Sequence, residues 1–197
     1  MSGQNERAGD CGLFAAARGD VTAVNLQLKP METPEEMEGK GYVHWKSWQE
    51  AYQGLIDPAY LNGTMTLETC VKRAYEWPDG VLVAKDGPRV IGFAGYGPYR
   101  DDALPSAGEL YALYVLKEYY GKGASPALLH AVLARLAGYP RVALWVLKGN
   151  ARAIRFYQKH GFVPDGAEQS ISLGRPATVL RMIWTRPGQG QKEAARI

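Results

Sequence analysis

Two glycines lie where a predicted strand runs directly into a predicted helix, in residues 115–126 (VLKEYYGKGASP). Gly121 and Gly123 allow the backbone to approach a ligand closely, and Ser125 and Pro126 are typical of the first residues of a helix. The free N–H groups and the positive dipole end of such a helix attract an anion. The segment contains neither GxxxxGK[ST] nor GxGxxG. It therefore predicts an anion site outside those two nucleotide-binding patterns, and an ordinary strand-to-helix loop is the alternative.

A second segment begins at Asn150 and ends at Gly161, residue types that favour a helix start and a helix end. At 3.6 residues per turn, Ala153, Phe156 and Tyr157 share one face with Asn150. A tyrosine on that face is either a core residue or a proton donor.

The elements that must position these segments follow from apolar periodicity. Strands are predicted at residues 24–28, 81–84, 90–94, 109–116, 141–147 and 179–184. Helices are predicted at residues 33–52, 66–76, 125–137 and 150–160. Gly39 and Gly41 are expected to break the first helix in two. Early strands followed by alternating strands and helices indicate an α+β fold with a mixed central sheet.

Composition bounds the class of protein. The 197 residues are 46% hydrophobic and 22% charged, as expected of one folded domain. We expect residues 21–185 to form that domain, between weakly ordered tails at 1–20 and 186–197. Because no apolar run approaches the ~18 residues of a membrane span, we expect a cytoplasmic protein without a membrane partner.

Charge and cysteine content narrow the partners. The net charge is +3, and the basic residues are scattered, which favours a compact anionic ligand over a nucleic acid. Cys11 and Cys70 form neither a disulfide framework nor a zinc-binding spacing, and His130 and His160 lack partners at ligand spacing. We expect no metal.

Together the two segments resemble the GNAT superfamily of acetyl-coenzyme A-dependent N-acetyltransferases. The family's pyrophosphate pattern Arg/Gln-x-x-Gly-x-Gly/Ala falls on residues 120–125, where Gly123 matches and Tyr120 and Ser125 depart. The family's Asn-x-x-Ala-x-x-Phe-Tyr-x-x-x-Gly-Phe pattern is complete at residues 150–162. The resemblance spans residues 24–184 and implies a mixed, mostly antiparallel central sheet flanked by helices.

The resemblance also implies a site for acetyl-coenzyme A as co-substrate. The backbone of Tyr114 and Val115 would bind the pantetheine arm, and one N–H group there would polarise the acetyl carbonyl. Tyr157 would protonate the leaving thiolate, since a phenol of reference pKa ~10 can do so as that charge develops. The residues assigned to the pyrophosphate and the rest of the cofactor are Tyr120, Gly121, Lys122, Gly123, Ala124, Ser125 and Asn150.

The general base and the acceptor site rest on weaker patterns. Glu109 opens the strand that leads to Tyr114 and would take the amine proton, directly or through water; an exposed strand-end charge is the alternative. Asp101, Asp102 and His44 are rivals. An aromatic, acidic pocket suits a cationic amine. The residues expected to form it are His44, Trp48, Tyr52 and Tyr111, although the first three lie at helical spacing, which is also typical of a core stripe.

These patterns predict an N-acetyltransferase that moves acetyl to a primary amine by direct attack in a ternary complex. The acceptor is a small-molecule or protein amine, and a homodimer is possible. A non-catalytic acyl-coenzyme A sensor is the alternative, because the pyrophosphate pattern is incomplete. A basic RNA-associated protein is a third hypothesis, favoured by the isoelectric point alone.

Overall fold

A computed structural model describes residues 24–188 as a seven-stranded sheet with five α-helices. The sheet order is β1-β2-β3-β4-β5-β7-β6, and only the β4–β5 pair is parallel. This confirms the predicted α+β class with a mixed, mostly antiparallel sheet. The strands are β1 (Leu26–Pro30), β2 (Val81–Asp86), β3 (Arg89–Pro98), β4 (Ala107–Val115), β5 (Arg141–Leu147), β6 (Val163–Ser172) and β7 (Pro176–Thr185).

Helices flank the sheet, and a short 3-10 turn at Lys117–Tyr119 follows β4. The apolar face of α4 packs with inward residues of β4 and β5 in the main core, whereas α1 packs on the other face over Phe93. The helices are α1 (Pro34–Ala51), α2 (Pro58–Gly63), α3 (Leu67–Glu76), α4 (Ala124–Arg135) and α5 (Ala151–Lys159).

The predicted break of α1 at Gly39 and Gly41 is wrong, because the helix continues through both. A Cβ on Gly39 would collide with Val90 of β3, and a Cβ on Gly41 with Val71 of α3. The glycines therefore let α1 approach its neighbours closely, and this packing overrides their low helix propensity.

Two elements were absent from the sequence prediction. The strand β6 is mostly exposed and lacks an apolar alternation, so its pairing with β7 alone defines it. The six-residue helix α2 has local signals, because Asp57 caps it and Pro58 opens it.

Strand β4 has an irregularity that shapes the molecule. Its pairing with β3 shifts from Gly95–Ala112 to Tyr96–Leu110, which leaves Tyr111 as the extra residue of a bulge. Pairing with β5 ends at Leu110–Leu144. Beyond that point the parallel strands separate, and a cleft opens between them.

The described part of the chain extends slightly past the predicted domain end. The Arg186 N–H donates to the carbonyl of Pro140 at 2.9 Å, and its guanidinium donates to the carbonyls of Leu133 and Leu136, both at 3.1 Å. Arg186 thus packs with the domain. The predicted N-terminal tail, Cys11 and residues 189–197 lie outside the described residues. Between residues 24 and 188, none of the helices combines the length and apolar character needed to cross a bilayer.

Candidate active site

A cleft of about 440 Å³ opens where β4 and β5 separate, between the start of α4 and the helix α5. The sequence-predicted residues that line it are Tyr52, Tyr111, Tyr114, Val115, Tyr120, Gly121, Gly123, Ser125, Asn150 and Tyr157. Glu109, His44, Trp48, Lys122 and Ala124 are not among the residues lining this cleft. The fold thus brings both sequence segments to one cavity.

The N-terminus of α4 is open to a ligand. Gly123 caps this helix with φ +90° and no side-chain hydrogen bond, whereas α1, α2, α3 and α5 each have a side-chain cap. Gly121 also has a positive φ, +74°, and a Cβ on either glycine would find no protein atom within 4 Å. Ala124 is buried in the core and anchors the helix below this opening. Free backbone N–H groups facing open space suit the pyrophosphate of acetyl-coenzyme A.

Arg152 is a cleft residue that the sequence analysis did not single out. It lies in the first turn of α5, and its guanidinium lies 4.0 Å from the Tyr120 ring centroid while donating to the Tyr120 hydroxyl at 2.8 Å. Tyr120 occupies the position where the family pattern has Arg or Gln. A positive charge therefore still reaches that side of the cleft, from another helix. Two features of the sequence could have pointed to Arg152. It is a cation near the start of the helix predicted at residues 150–160, and Tyr120 lacks the positive charge that Arg provides at this position of the family pattern.

Tyr157 is buried with its ring against Phe156 and Phe162, at centroid distances of 5.2 and 5.7 Å. Within residues 24–188 its hydroxyl has no hydrogen-bond partner, although Tyr157 lines the cleft. Burial raises the pKa of Tyr157 well above its ordinary value of 10. The phenol is therefore protonated at neutral pH, as a proton donor must be.

Asn150 lines the cleft and caps α5, since its Oδ1 accepts from the Ala153 N–H at 3.1 Å. Lys122, also assigned to the cofactor site, does not line the cleft; its ammonium group lies over the Tyr119 ring, 5.2 Å from the ring centroid. Asn150 thus has a structural role whatever its ligand contacts are.

A second cavity of about 270 Å³ shares Tyr52, Tyr114 and Trp145 with the cleft. Tyr52 and Tyr114 contribute to both walls, and their hydroxyl oxygens lie 3.2 Å apart. Burial raises the pKa of both phenols. The residues lining this second cavity, called the side cavity below, are Trp48, Tyr52, Arg100, Tyr114, Trp145, Leu147, Gln169, Ile171, Leu173 and Val179.

His44, expected in the acceptor pocket, lies instead in an aromatic cluster beneath it. Its ring stacks on Tyr114 at 5.5 Å, and its buried Nδ1 has no partner within residues 24–188. Burial, together with the nearby charges of Lys40 and Arg73, lowers the pKa of His44 to about 3. His44 is neutral at physiological pH and lines neither cavity.

Glu109 is neither the exposed strand-end charge of the alternative hypothesis nor a residue of the cleft. Its side chain is 2% exposed. The Arg100 Nη2 donates to Oε1 at 2.6 Å and the Arg100 Nε to Oε2 at 3.1 Å. The Arg100 guanidinium also lies 4.5 Å from the centroid of Tyr111, whose hydroxyl donates to Pro98 at 2.6 Å. The carboxylate is thus buried in an ion pair and lines neither cavity, which does not favour its predicted role as base.

The remaining chemistry-bearing groups lie elsewhere. Asp101, a rival base, accepts from the Ala103 N–H in an exposed loop, and Asp102 is exposed nearby. Cys70 is fully buried in α3, where burial raises the pKa of its thiol. Within residues 24–188, no cluster of three or more His, Cys, Asp or Glu side chains could hold a metal ion.

Comparisons with known proteins agree with this geometry. The family model described as "Acetyltransferase (GNAT) family" matches residues 40–162. An uncharacterized N-acetyltransferase of Bacillus subtilis, YuaI, is 36% identical over 129 residues, which are 64% of this chain and 74% of YuaI. The mycothiol acetyltransferase of Acidimicrobium ferrooxidans is 31% identical over 64% of this chain, but only 38% of that protein is matched. The Mycobacterium bovis relative Mb2688 is matched over 58% of its length.

Solved structures share the fold. The PaiA N-acetyltransferase of Thermoplasma acidophilum, solved in complex with coenzyme A, superposes with a TM-score of 0.62 at 21% identity, covering 82% of this chain and 99% of that one. YncA of Salmonella typhimurium, a putative acetyltransferase solved with acetyl-coenzyme A, has a TM-score of 0.60 at 19% identity, covering 82% and 94%. With the family match extending over more than half of the 197 residues, the chain belongs to the GNAT family of N-acetyltransferases.

Proposed function

We propose that this N-acetyltransferase binds acetyl-coenzyme A in the cleft and transfers acetyl to a primary amine by direct attack in a ternary complex. The proposal is supported by three features that lie together in one cleft. It holds the uncapped start of α4 with its two open glycines, the separated strand β4, and the unpaired hydroxyl of Tyr157. Acetyl-coenzyme A supplies the activated thioester.

The chain's own groups have three tasks. The N–H groups at Gly123 to Ser125 hold the pyrophosphate, and the Arg152 guanidinium adds positive charge beside them. Backbone groups of Tyr114 and Val115 face the gap left by β5 and orient the pantetheine arm. Tyr157 gives its proton to the departing thiolate. A phenol is protonated at neutral pH, and burial, which raises the pKa of Tyr157, leaves it in that form.

Two measurements test the proposal. Calorimetry should show acetyl-coenzyme A binding to the full chain, and a panel of primary amines should include some that release free thiol in proportion to acetylated product. Absence of cofactor binding would contradict the site. Binding without thiol release for any amine would favour the sensor hypothesis, which the Tyr120 departure from the family pattern keeps open.

A further inference from the structure

The walls of the side cavity and the cleft, as far as residues 24–188 form them, contain no carboxylate that could pair with a cationic amine. Within residues 24–188, no Asp or Glu lines either cavity. The cationic side chains in their walls are Arg100, Arg152 and Lys159. A strongly basic amine, which is a cation at neutral pH, thus finds no carboxylate in either wall, because Glu109, the counter-charge of Arg100, lies outside the lining of both cavities.

Three carboxylates of β4 and β6 are already held in ion pairs. Glu109 is ion-paired with Arg100, and Asp165 with Arg181 at 2.8 Å. Glu168 pairs with Lys148 at 2.9 Å. Each of these carboxylates has a cation as its partner and lies outside the lining of both cavities.

The other titratable side chains of the walls do not replace a carboxylate. Burial raises the pKa of Tyr52, Tyr114, Tyr157 and Tyr111, so these phenols retain their protons at neutral pH. The Tyr120 hydroxyl accepts a hydrogen bond from the Arg152 guanidinium, which also lies over the Tyr120 ring. Protonated phenols can donate a proton but do not accept one from an ammonium group.

His160 is the imidazole in the cleft wall. It caps the C-terminus of α5 and packs on His130 of α4, with ring centroids 5.4 Å apart, and it does not line the side cavity. Burial and the neighbouring His130 and Lys159 lower the pKa of His160. It therefore lies on the α4–α5 side, whereas the side cavity is walled by α1, β4, β5, β6 and β7.

The wall of the side cavity is mostly apolar, with Arg100 and Gln169 as its charged and amide side chains. Trp48 and Trp145 contribute aromatic surface to it, and Leu147, Leu173 and Val179 contribute aliphatic surface. Its volume of about 270 Å³ is just below the ~300–1,000 Å³ of sites for drug-sized ligands. The cavity therefore suits a single side chain better than a whole extended ligand.

From these contacts we propose that the acceptor is a weakly basic α-amine whose carboxyl group is in an amide bond, as at a peptide N-terminus, and that the apolar or aromatic side chain of the same residue lies in the side cavity. This inference rests on the proposed function. The amine loses its proton to bulk water before it reacts, so the site needs no carboxylate.

The chemical step balances without a further reactant. The lone pair of the neutral amine forms a bond to the acetyl carbon, and the carbon–sulfur bond breaks. The thiolate receives the Tyr157 proton, the new amide nitrogen releases one proton to water, and the phenol is reprotonated from water. At pH 7 about one α-amino group in ten is neutral, against on the order of one lysine side chain in 2,500, from reference pKa values of about 7.7–8.0 and 10.4.

The test compares two isomers of one dipeptide amide, Phe-Lys, with either the ε-amine or the α-amine blocked by acetylation. We expect the isomer with a free α-amine to have a kcat/KM at least about tenfold higher at pH 7. Its kcat/KM should rise with pH and level off near pH 8, whereas that of the ε-amine isomer should still rise above pH 9. Preference for the ε-amine, or one inflection shared by both isomers, which would identify an enzyme base such as His160, would overturn the inference.

The side cavity is tested separately with Phe-Lys and Gly-Lys, both blocked at the ε-amine. Ile171→Trp should fill the cavity and reduce the preference for phenylalanine over glycine at least about fivefold, with unchanged affinity for coenzyme A. Val163→Trp, on the same strand but 61% exposed and outside both cavities, is the matched control. An unaltered preference in a folded Ile171→Trp variant contradicts the cavity assignment. If no amine of any class is acetylated while coenzyme A binds, the proposed function itself is wrong.

Discussion

Tyr157 combines a buried aromatic ring with a hydroxyl that has no protein partner within residues 24–188. A tyrosine hydroxyl enclosed in a core needs a protein partner, because leaving an enclosed polar group unpaired costs about 1–3 kcal/mol. The Tyr157 hydroxyl is not among the enclosed unpaired atoms of residues 24–188, and Tyr157 lines the open cleft. The free hydroxyl in the cleft wall is therefore better explained by a ligand-facing role than by packing alone.

Tyr157→Phe removes that hydroxyl and retains the ring contacts with Phe156 and Phe162. We expect kcat to fall at least about tenfold while the KM for acetyl-coenzyme A and the melting temperature change little, because only proton donation is lost. Steady-state kinetics and thermal unfolding measure this. Tyr75→Phe, an exposed position on α3, is the control. A wild-type kcat with chemistry rate-limiting would remove Tyr157 from the mechanism.

Arg152 offers a second residue-scale test. Arg152→Ala should weaken coenzyme A binding by about tenfold or more at low salt, because a charge-assisted contact of about 1.5–3 kcal/mol is lost, and the deficit should shrink as salt screens the phosphate charge. Arg155→Ala is the matched control, since Arg155 is an exposed cation on the same helix outside the cleft. Calorimetry at two salt concentrations gives the answer. Equal losses of coenzyme A affinity in the two variants would mean that Arg152 acts only through the overall positive charge of the helix and not through a direct contact.

At the scale of elements, the start of α4 differs from the starts of the other helices. Side chains of Thr33, Asp57, Thr66 and Asn150 cap α1, α2, α3 and α5, whereas Gly123 leaves the N–H groups of α4 free of side-chain partners. The left-handed backbone at Gly123 turns the chain so that these groups face the cleft.

Gly123→Val should weaken coenzyme A binding by at least about tenfold, because a branched side chain at φ +90° both strains this turn and enters the ligand space. Gly87→Val places the same strain in the β2–β3 hairpin, at φ +58° with no atom near the added Cβ. Both variants should lose thermal stability, but only the first should lose affinity in calorimetry. Unchanged affinity in folded Gly123→Val would contradict the pyrophosphate assignment.

Helix α1 carries a pH-dependent contribution to stability at its first turn. Burial by itself would raise the pKa of Glu36. The backbone N–H groups of Glu32 and Thr33 and the ammonium groups of Lys29 and Lys85 outweigh it, and the pKa falls from 4.5 to about 2. A carboxylate with a depressed pKa stabilises the fold above its unfolded pKa and loses that contribution as pH falls through the folded value.

Glu36→Gln should therefore lower the melting temperature at pH 7, and its difference from wild type should narrow between about pH 4.5 and pH 2. Circular dichroism melts across that range measure the difference. Glu38→Gln, at an exposed position of the same helix, should show no comparable narrowing. A difference in melting temperature between Glu36→Gln and the wild type that stays constant with pH would contradict the contribution of the Glu36 carboxylate to stability.

At the scale of the whole molecule, the cleft depends on two strands that pair and then separate. The β4–β5 ladder runs from Ala107–Arg141 to Leu110–Leu144 and stops there. The proposed direct transfer needs both substrates at one place, and the edge of β4 that β5 leaves unpaired is the place we propose for it. Cys70, the cysteine among the described residues, is buried in α3 away from this cleft.

The cysteines should be dispensable for turnover. A variant with both Cys11 and Cys70 replaced by alanine should retain most of its kcat, because direct attack needs no covalent acetyl-enzyme. Some thermal stability should be lost with the buried Cys70 side chain. Initial rates against both substrates should give intersecting reciprocal plots. Parallel plots, with an acetylated cysteine trapped by mass spectrometry, would overturn the ternary complex.

The sequence by itself determined the parts that rest on local patterns. The strand-to-helix glycine turn, the complete 150–162 pattern and the period of the apolar residues predicted most helices and strands, the family and the cleft-lining residues around Gly123 and Tyr157. These predictions succeed because caps, turns and amphipathic periods act within a few residues of one another.

Only the tertiary structure decided which charges are free. Glu109 and Arg100 are nine residues apart on either side of a turn, and their ion pair became visible once β3 and β4 were aligned. Arg152 and Tyr120, 32 residues apart, meet because the starts of α4 and α5 converge. His44 has the spacing of a ligand-facing stripe, but packing beneath Tyr114 buries it. Whether a charge is paired or available depends on contacts between distant segments, and no local spacing encodes those contacts.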